Sequence, residues 1–461
     1  MPTNTEFIYN HTGYLYSRDG LSIDMDWLRK ARRVSNAAER RDITEMRLLH
    51  DSGLIRGYTE YLTDFSTPLM TCIHQYHMHE QDPDRRPEVI EMVRLLLENG
   101  ADPYTIFHND NWGVLHEATV YADTELVRLI ISNGLQNLDS TNPLFRHRNF
   151  VNNDFVNQRD MKGRTPLHLA ADALPRDVGN TDIIQILIEY GADVHAVDNT
   201  GSTPLFEAIQ EPDKIQFLIQ HGARVNAIDN WGETPLSRAV SRPDYVHTLC
   251  QCLPGIKTLC QNGADIDIAN NIGETPLHVS TNHTPVLKFL IESGADVHAV
   301  NEDGETPLAN AVQSENIESV IALFQAGCDL SHRDNNDVTP LHEAVRSRPI
   351  TLFLLDNGVD INAVENRGRT ALHIAVTCEM LPSAKLLWQR GTNLAIRDVE
   401  NSSAEDICFA GNPCIEIFEA EKLERRNEAF AMGHHRNFGT GEGSIVQMLS
   451  ADLVGVILNG V

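Results

Sequence analysis

Basic residues are scarce in this chain. It carries 37 Lys and Arg against 65 Asp and Glu over 461 residues, a formal charge of −28 with a pI near 5.0. A surface for duplex nucleic acid needs clustered Lys and Arg to release counterions, and docking on anionic lipid needs the same clusters. Neither nucleic acid nor membrane is expected as a partner. Long apolar runs are missing too, since nothing approaches the ~18 uninterrupted residues of a membrane span. The opening MPTNTEFIYN lacks the basic and apolar regions of a secretory signal. Cys72, Cys250, Cys252, Cys260, Cys328, Cys378, Cys408 and Cys414 show no CxxC rhythm and no finger-like histidine spacing, so neither a zinc site nor a disulfide framework is indicated. They read as small apolar packers in a reducing compartment, cytoplasmic or nuclear. There is no GxSxG, no glycine-rich phosphate loop with lysine, and no isolated Cys–His pair. No catalytic residue and no cofactor are expected.

What the sequence does have is self-similarity. Thr-Pro-Leu recurs at Thr67, Thr165, Thr203, Thr234, Thr275, Thr306 and Thr339, with Thr-Ala-Leu at Thr370. Each is followed by an apolar stretch and a second amphipathic segment that closes in glycine, as at Gly100, Gly191, Gly222, Gly263, Gly294, Gly327, Gly358 and Gly391. Threonine caps a helix start, and proline at the first helical position gives up only an amide that had no partner. A closing glycine takes the left-handed conformation that ends a helix. The unit therefore reads helix, turn, helix, glycine stop, then a polar extended link such as RVNAIDNWGE.

The spacings separate a rigid part from an elastic one. From Gly191, Gly222, Gly263, Gly294, Gly327 and Gly358 to the next Thr is always 12 residues, and Gly391 plus 12 lands on Ser403. From Thr to closing glycine the distance varies: 26 from Thr165, 19 from Thr203, 29 from Thr234, 21 from Thr306. A stacked solenoid behaves this way, because the link sets the register between neighbours while the helix–helix turn lengthens into solvent. Insertions are expected near 74–88, 172–181 and 242–255 in the elastic turn. A fourth near 135–158 interrupts the link itself, with 31 residues from Gly134 to Thr165.

The pattern D-x-x-G-x-T-P-L-H, two helices and an L-L-x-x-G-A-D close resembles the ankyrin repeat. The resemblance implies an all-α solenoid of helix pairs with projecting β-hairpin fingers and a short helical C-terminal tail. Its expected layout is an N-terminal extension over 1–30, an array of about ten or eleven units over 31–420, and a tail over 421–461. It further implies that the L-H histidines, His116, His168, His278, His342 and His373, bridge backbone groups between neighbouring loops and do no chemistry.

Several features compete for a functional role. Trp231 and Ile272 occupy neighbouring finger tips, and exposed apolar anchors of this kind carry interface energy. With Trp112, Met161 and Arg367, they are the candidate contacts to one or more folded proteins. His74, His77 and His79, with Glu80, Asp82 and Asp84, have metal-like density but fall on a loop or frayed helix that would not hold fixed geometry, so no metal is expected. Arg29, Lys30, Arg32, Arg33, Arg40 and Arg41 form a basic stretch, read either as a solvated capping helix or as an import or acidic-partner patch. After a glycine-rich hinge, Leu449, Leu453 and Ile457 fall at i, i+4 and i+8 on one apolar stripe. The order Leu449-Ser450-Ala451-Asp452-Leu453, then Ile457-Leu458, is similar to the opening of an F-box, L-P-x-E-L-x-x-x-I-L, with Ser450 and Asp452 in place of proline and glutamate. Poxvirus-type ankyrin proteins end in truncated tails of this kind, which dock the Skp-type subunit of a cullin–RING ubiquitin ligase. The resemblance thus implies a substrate-recruiting adaptor. The alternatives are a non-enzymatic scaffold or inhibitor whose tail only caps the array and, more remotely, an enzyme hidden in the insertions.

Overall fold

The structure, a computed structural model, describes residues 7–9, 15–17, 25–55, 67–77, 86–104, 111–120, 123–136, 155–172, 180–241, 252–409 and Leu423. It divides into two units, Met1–Glu302 and Asp303–Val461. The first opens with a short antiparallel hairpin, β1 (Phe7–Tyr9) and β2 (Leu15–Ser17), with Ile8 opposite Tyr16. Helix pairs follow: α1 (Met25–Arg40) with α2 (Ile43–Asp51), α3 (Pro68–His77) with α4 (Arg86–Glu98), α5 (Val114–Val120) with α6 (Thr124–Gln136), and α7 (Pro166–Asp172) with α8 (Asn180–Glu189). Next come α9 (Pro204–Glu207) with α10 (Pro212–Gln220), α11 (Pro235–Ser241) with α12 (Cys252–Gln261), and α13 (Pro276–Val279) with α14 (Thr284–Glu292). The second unit holds α15 (Pro307–Gln313) with α16 (Ile317–Gln325), α17 (Pro340–Glu343) with α18 (Arg348–Asp356), α19 (Ala371–Thr377) with α20 (Leu381–Gln389), and then α21 (Ala404–Phe409).

In each unit the helices stack in two rows. The first helices of the pairs pack on one another, α5 on α7, α7 on α9, α9 on α11 and α11 on α13, and in the second unit α15 on α17 and α17 on α19. The second helices form their own row, α6, α8, α10 and α12 in one unit and α16, α18 and α20 in the other. The rows differ in burial, and the sequence follows. Helix α7 is buried from Pro166 to Ala171 and carries small residues where its neighbours press on it. Helix α14 buries Val286, Leu287 and Leu290 and turns its other face outward. A helix enclosed on all sides reads apolar throughout; one on an outer row keeps a polar stripe.

Helix starts and stops take the form their sequence implies. Thr203, Thr275 and Thr339 are extended at the N-cap, with proline following at the first helical position. At the other end Gly191 has φ 91°, its N–H reaches the Ile188 carbonyl at 2.9 Å, and the Ala192 N–H reaches Leu187 at 2.9 Å. That paired closure satisfies two carbonyls the helix would otherwise leave open.

Each link doubles back in a tight turn closed by a backbone bond, as from the Asp198 N–H to the Ser202 carbonyl and from Asp229 to Glu233, both at 3.0 Å; the bridge with both partners described there is the Arg397–Ser403 pair. Helix α1 begins at Met25, ahead of residue 31, where the sequence placed the start of the array. The central parts of the four insertions, and the tail residues Leu449, Asp452, Leu453, Ile457 and Leu458, lie outside the described residues.

Candidate interaction surface

Each finger tip is built from one side-chain oxygen. Asp229 Oδ1 accepts the N–H groups of Trp231 and Glu233, both at 2.9 Å. Asp198 does the same for Thr200 and Ser202, and Asn270 for Ile272 and Glu274. In the second unit Asp334 and Asp398 repeat the arrangement. An Asx side chain that receives the amides two and four residues on folds the chain into a turn, and the same residue's backbone N–H closes it on the carbonyl four residues on, as from Asp229 to Glu233 at 3.0 Å.

The tips are then fastened to one another. The backbone N–H of Asn199 donates to Lys162, Asn230 to Thr200, and Asn271 to Trp231, each at 2.9 Å. Asparagine side chains add a second rung: Asn199 Nδ2 reaches the Met161 carbonyl at 2.8 Å, Asn230 that of Asn199 at 3.1 Å, and Asn271 that of Asn230 at 2.9 Å. The finger glycines make this approach possible. Gly201 has φ 81°, and a Cβ there would lie 2.7 Å from Asn230 Oδ1 and 2.9 Å from its backbone nitrogen. At Gly232 the same neighbour is Asn271.

Below the tips the L-H histidines form a buried lattice. His168 Nδ1 accepts the Thr165 N–H at 3.1 Å and lies 2.9 Å from its hydroxyl, while Nε2–H donates to the Ser202 carbonyl of the next finger at 3.0 Å. His116 reaches the Arg164 carbonyl, and His342 those of Ala363 and Arg369. In His116, His168 and His342 one nitrogen caps its own helix and the other ties down the neighbouring link. Burial holds the pKa of His116, His168, His342 and His373 below the usual histidine value, so the rings stay neutral. The structural role expected for these histidines fits that geometry.

The histidine is replaced in four units, by Met70, Phe206, Ser237 and Ala309, and two departures are instructive. In Thr306-Pro-Leu-Ala309 the histidine is missing, and the Thr306 hydroxyl is buried without a partner. The imidazole arrives from the other side. His332 stands where the other fingers carry an alanine or isoleucine, such as Ala196, Ile268 or Ala363, and its Nε2 reaches back to the Gly304 carbonyl at 2.9 Å. Ala309, Thr306 and His332 line one small cavity of about 10 Å³ with Val338 and Thr339. Histidine and alanine have exchanged places across one interstice.

The second departure is Arg238, a basic side chain that is buried on helix α11. Its guanidinium pairs with Asp229, which is fully buried, and its Nε lies 2.7 Å from Glu233 Oε2. The same group sits 5.6 Å from the ring centres of both Phe206 and Trp231. Trp231 therefore rests on a fixed cation while its outer face stays open.

The residues expected to bind partners are sorted unevenly by the structure. Trp231 and Ile272 sit on adjacent rungs and are 54% and 55% exposed. Met161 is exposed two rungs before Trp231, with Thr200 between. Trp112 is no open tip: it is half-buried, its indole N–H donates to Glu117, and Arg164 lies 5.7 Å over its ring. Arg367 is exposed on a finger of the second unit. Sequence reading missed a further row. Val197, Ile228, Ala269 and Val300 each precede the Asx residue of successive fingers, and all four are exposed. Lining up the links would have found them. Among the other candidates, His74 lies on helix α3 and pairs with Glu117 at 2.8 Å, and Arg33 pairs with Glu45. No group of three His, Cys, Asp or Glu suited to a metal exists among the described residues, and no helix there is long and apolar enough to cross a membrane. Burial pushes the Cys72 and Cys328 thiols up to about 12, which leaves them unreactive.

The family model for ankyrin repeats (3 copies) matches residues 85–198, 173–258, 251–334 and 323–398. The chain belongs to the ankyrin repeat family. Ankyrin repeats are protein-interaction modules, and no catalytic family is indicated. Among curated ankyrin repeat proteins, one from Rickettsia bellii (strain RML369-C) is 36% identical over 84 residues, 17% of this chain and 46% of that one. The human ankyrin repeat and SOCS box protein 3 is 30% identical over 117 residues, 25% of this chain and 18% of its own length. The chain thus spans less than half the length of these relatives. The crystal structure of the ankyrin repeat domain of Bcl-3, a member of the IkappaB family, is 27% identical, with a TM-score of 0.39 over 45% of this chain and 95% of that one.

Proposed function

We propose that this ankyrin repeat chain is a substrate-recruiting adaptor: the fingers of its first unit hold a folded target protein, and its C-terminal tail docks the Skp-type subunit of a cullin–RING ubiquitin ligase. The observation that carries the holding role is the adjacent, outward-facing pair Trp231 and Ile272. Both belong to tips whose backbones are already bonded to their neighbours, so little order has to be gained on binding. Trp231 is further held by Arg238. The array has an apolar anchor surrounded by polar rim, which is the layout of a binding hot spot.

Docking through the tail is supported by the order of Leu449, Asp452, Leu453, Ile457 and Leu458 and its likeness to an F-box opening. A curated relative whose name joins ankyrin repeats to a SOCS box offers a parallel for an array paired with a second element. The test is affinity capture of the full chain, the chain without residues 421–461, and Leu453→Asp, with immunoblots for the Skp-type subunit and the cullin. The adaptor reading expects both components with the full chain and neither with the two variants, while the target remains bound. If no ligase component is recovered with any of them and Leu453→Asp lowers the melting temperature, the tail is a cap and the chain is a scaffold or inhibitor.

A further inference from the structure

The finger face of the first unit has features that select among classes of partner. Its apolar side chains form two parallel rows. One is the tip row, with Trp231 and Ile272; the other comprises Val197, Ile228, Ala269 and Val300, of which Val197 is 44%, Ile228 58% and Val300 49% exposed. Scattered exposed apolar residues need no explanation, but a row that repeats at one position of successive fingers does.

The charge beside these rows is predominantly negative. In the four links 191–203, 222–234, 263–275 and 294–302 the single Lys or Arg is Arg224. Asp193, Asp265, Asp267, Asp296 and Glu302 are exposed along the same stretch. Asp193, Asp265 and Asp296 each spend one oxygen on the amide two residues on, and Asp267 spends one on the Asp296 amide of the next finger, which leaves the other oxygen of each to solvent.

The tips also offer no edge on which a strand could add. The N–H groups of Asn199, Asn230, Asn271 and Glu302 are donated to the preceding finger, and the carbonyls of Met161, Lys162, Asn199, Thr200, Asn230, Trp231 and Ile272 are their acceptors or those of asparagine side chains. β-Augmentation works through free main-chain groups, and here they are used. A partner segment must satisfy its own backbone, which a helix does. The spacing agrees. Packed helices lie about 8–10 Å apart, so the rows step by about that much per finger, and a helix rising about 1.5 Å per residue covers the step in two turns. The same helical face then returns to each finger about every seven residues.

We infer that the finger face of the first unit takes a basic amphipathic helix, with apolar side chains repeating every seventh residue set among lysine or arginine. The inference rests on the finger face being the holding surface proposed above. Apolar side chains fill the two rows, and the flanking cations meet the aspartates along the links. Helix-in-groove recognition of this kind draws its affinity from the apolar anchors and its selectivity from the charge.

The probes are three fluorescein-labelled 21-residue peptides: one of Leu, Lys and Ala with leucines in a heptad stripe, one of the same composition scrambled, and one with every Lys changed to Glu. Each is titrated by anisotropy against the full chain, Ile272→Asp and Val300→Asp, at two salt concentrations. The heptad peptide should bind at least tenfold more tightly than the scrambled one. Either substitution should weaken it about tenfold or more, the Glu peptide should show no binding, and added salt should weaken the complex. Equal binding of heptad and scrambled peptides, equal binding of the Lys and Glu peptides, or indifference to both substitutions overturns the inference. A photoreactive residue at position 272 keeps the two proposals apart. Cross-linking of a cellular protein there, together with failure of the heptad peptide, removes the helix and leaves the holding surface standing; loss of both removes both.

Discussion

Exchanging Ala309 and His332 tests how neighbouring repeats are tied together. In the native chain His332 donates 2.9 Å to the Gly304 carbonyl, while the Thr306 hydroxyl beside it is buried without a partner. His332→Ala removes that hydrogen bond, worth about 0.5–1.5 kcal/mol, and enlarges the adjoining cavity, at about 24 cal/mol for each Å³ left empty. A loss of about 1–2 kcal/mol is expected. Ala309→His pushes a second imidazole against the first, and overpacking of this kind costs about 1–3 kcal/mol. The double variant rebuilds the arrangement seen around His342, whose Nδ1 lies 2.8 Å from the Thr339 hydroxyl and whose Nε2 lies 3.1 Å from the Arg369 carbonyl. In it Thr306 regains a partner and the Val338 carbonyl gains a donor. The double variant should therefore lie close to the native chain, with a favourable coupling of about 2–5 kcal/mol. Urea unfolding of the four proteins measures it, and amide exchange across Thr306–Asp356 reports locally, because a repeat array need not unfold in one step. Additive single effects, with coupling below about 0.5 kcal/mol, would show that the two positions do not share one interstice.

Three further outcomes are expected. Leu277→Ala empties a fully buried site and should cost about 2–5 kcal/mol, whereas Ile272→Asp at the open tip should leave the melting curve nearly unchanged; equal melting of the two would reverse the assignment of inside and outside. Arg238→Ala leaves the buried Asp229 carboxylate without its cation and should cost about 3–5 kcal/mol, and tryptophan fluorescence should report a looser Trp231; a native-like melting curve would deny the pair that role. Burial keeps the lattice histidines neutral, so the unfolded chain takes up protons that the folded one refuses. Stability from this source is complete above about pH 6.5 and is lost as pH falls below it, by up to about 1.4 kcal/mol per pH unit for each ring. Relief of acidic repulsion works the other way, so the readout is the difference in slope between the native chain and His342→Gln, and identical slopes would contradict it.

The repeat was legible because its punctuation is local. Threonine and proline at a helix start, glycine at its close and a fixed link of 12 residues each act within a few residues, and the helices form where those signals place them. The site was legible in part. Trp231 and Ile272 come together because their fingers are neighbours in the chain as well as in space. Trp112 looks identical to Trp231 in sequence, but its indole is engaged by Glu117 one turn on and by Arg164 from the following finger. Nothing local announces that second contact. The same limit hides the exchange of Ala309 and His332, one on helix α15 and the other in the following link, and the burial of Arg238, since a basic residue on a short helix reads as solvated.

The most direct measurement compares the proteins recovered by the native chain and by Ile272→Asp, quantified side by side by mass spectrometry after both have been shown to melt alike. The account predicts that at least one protein enriched on the native chain falls tenfold or more on the variant, while recovery of the Skp-type subunit and the cullin is unchanged. Equal recovery of every enriched protein on both chains would contradict a holding role for the fingers of the first unit.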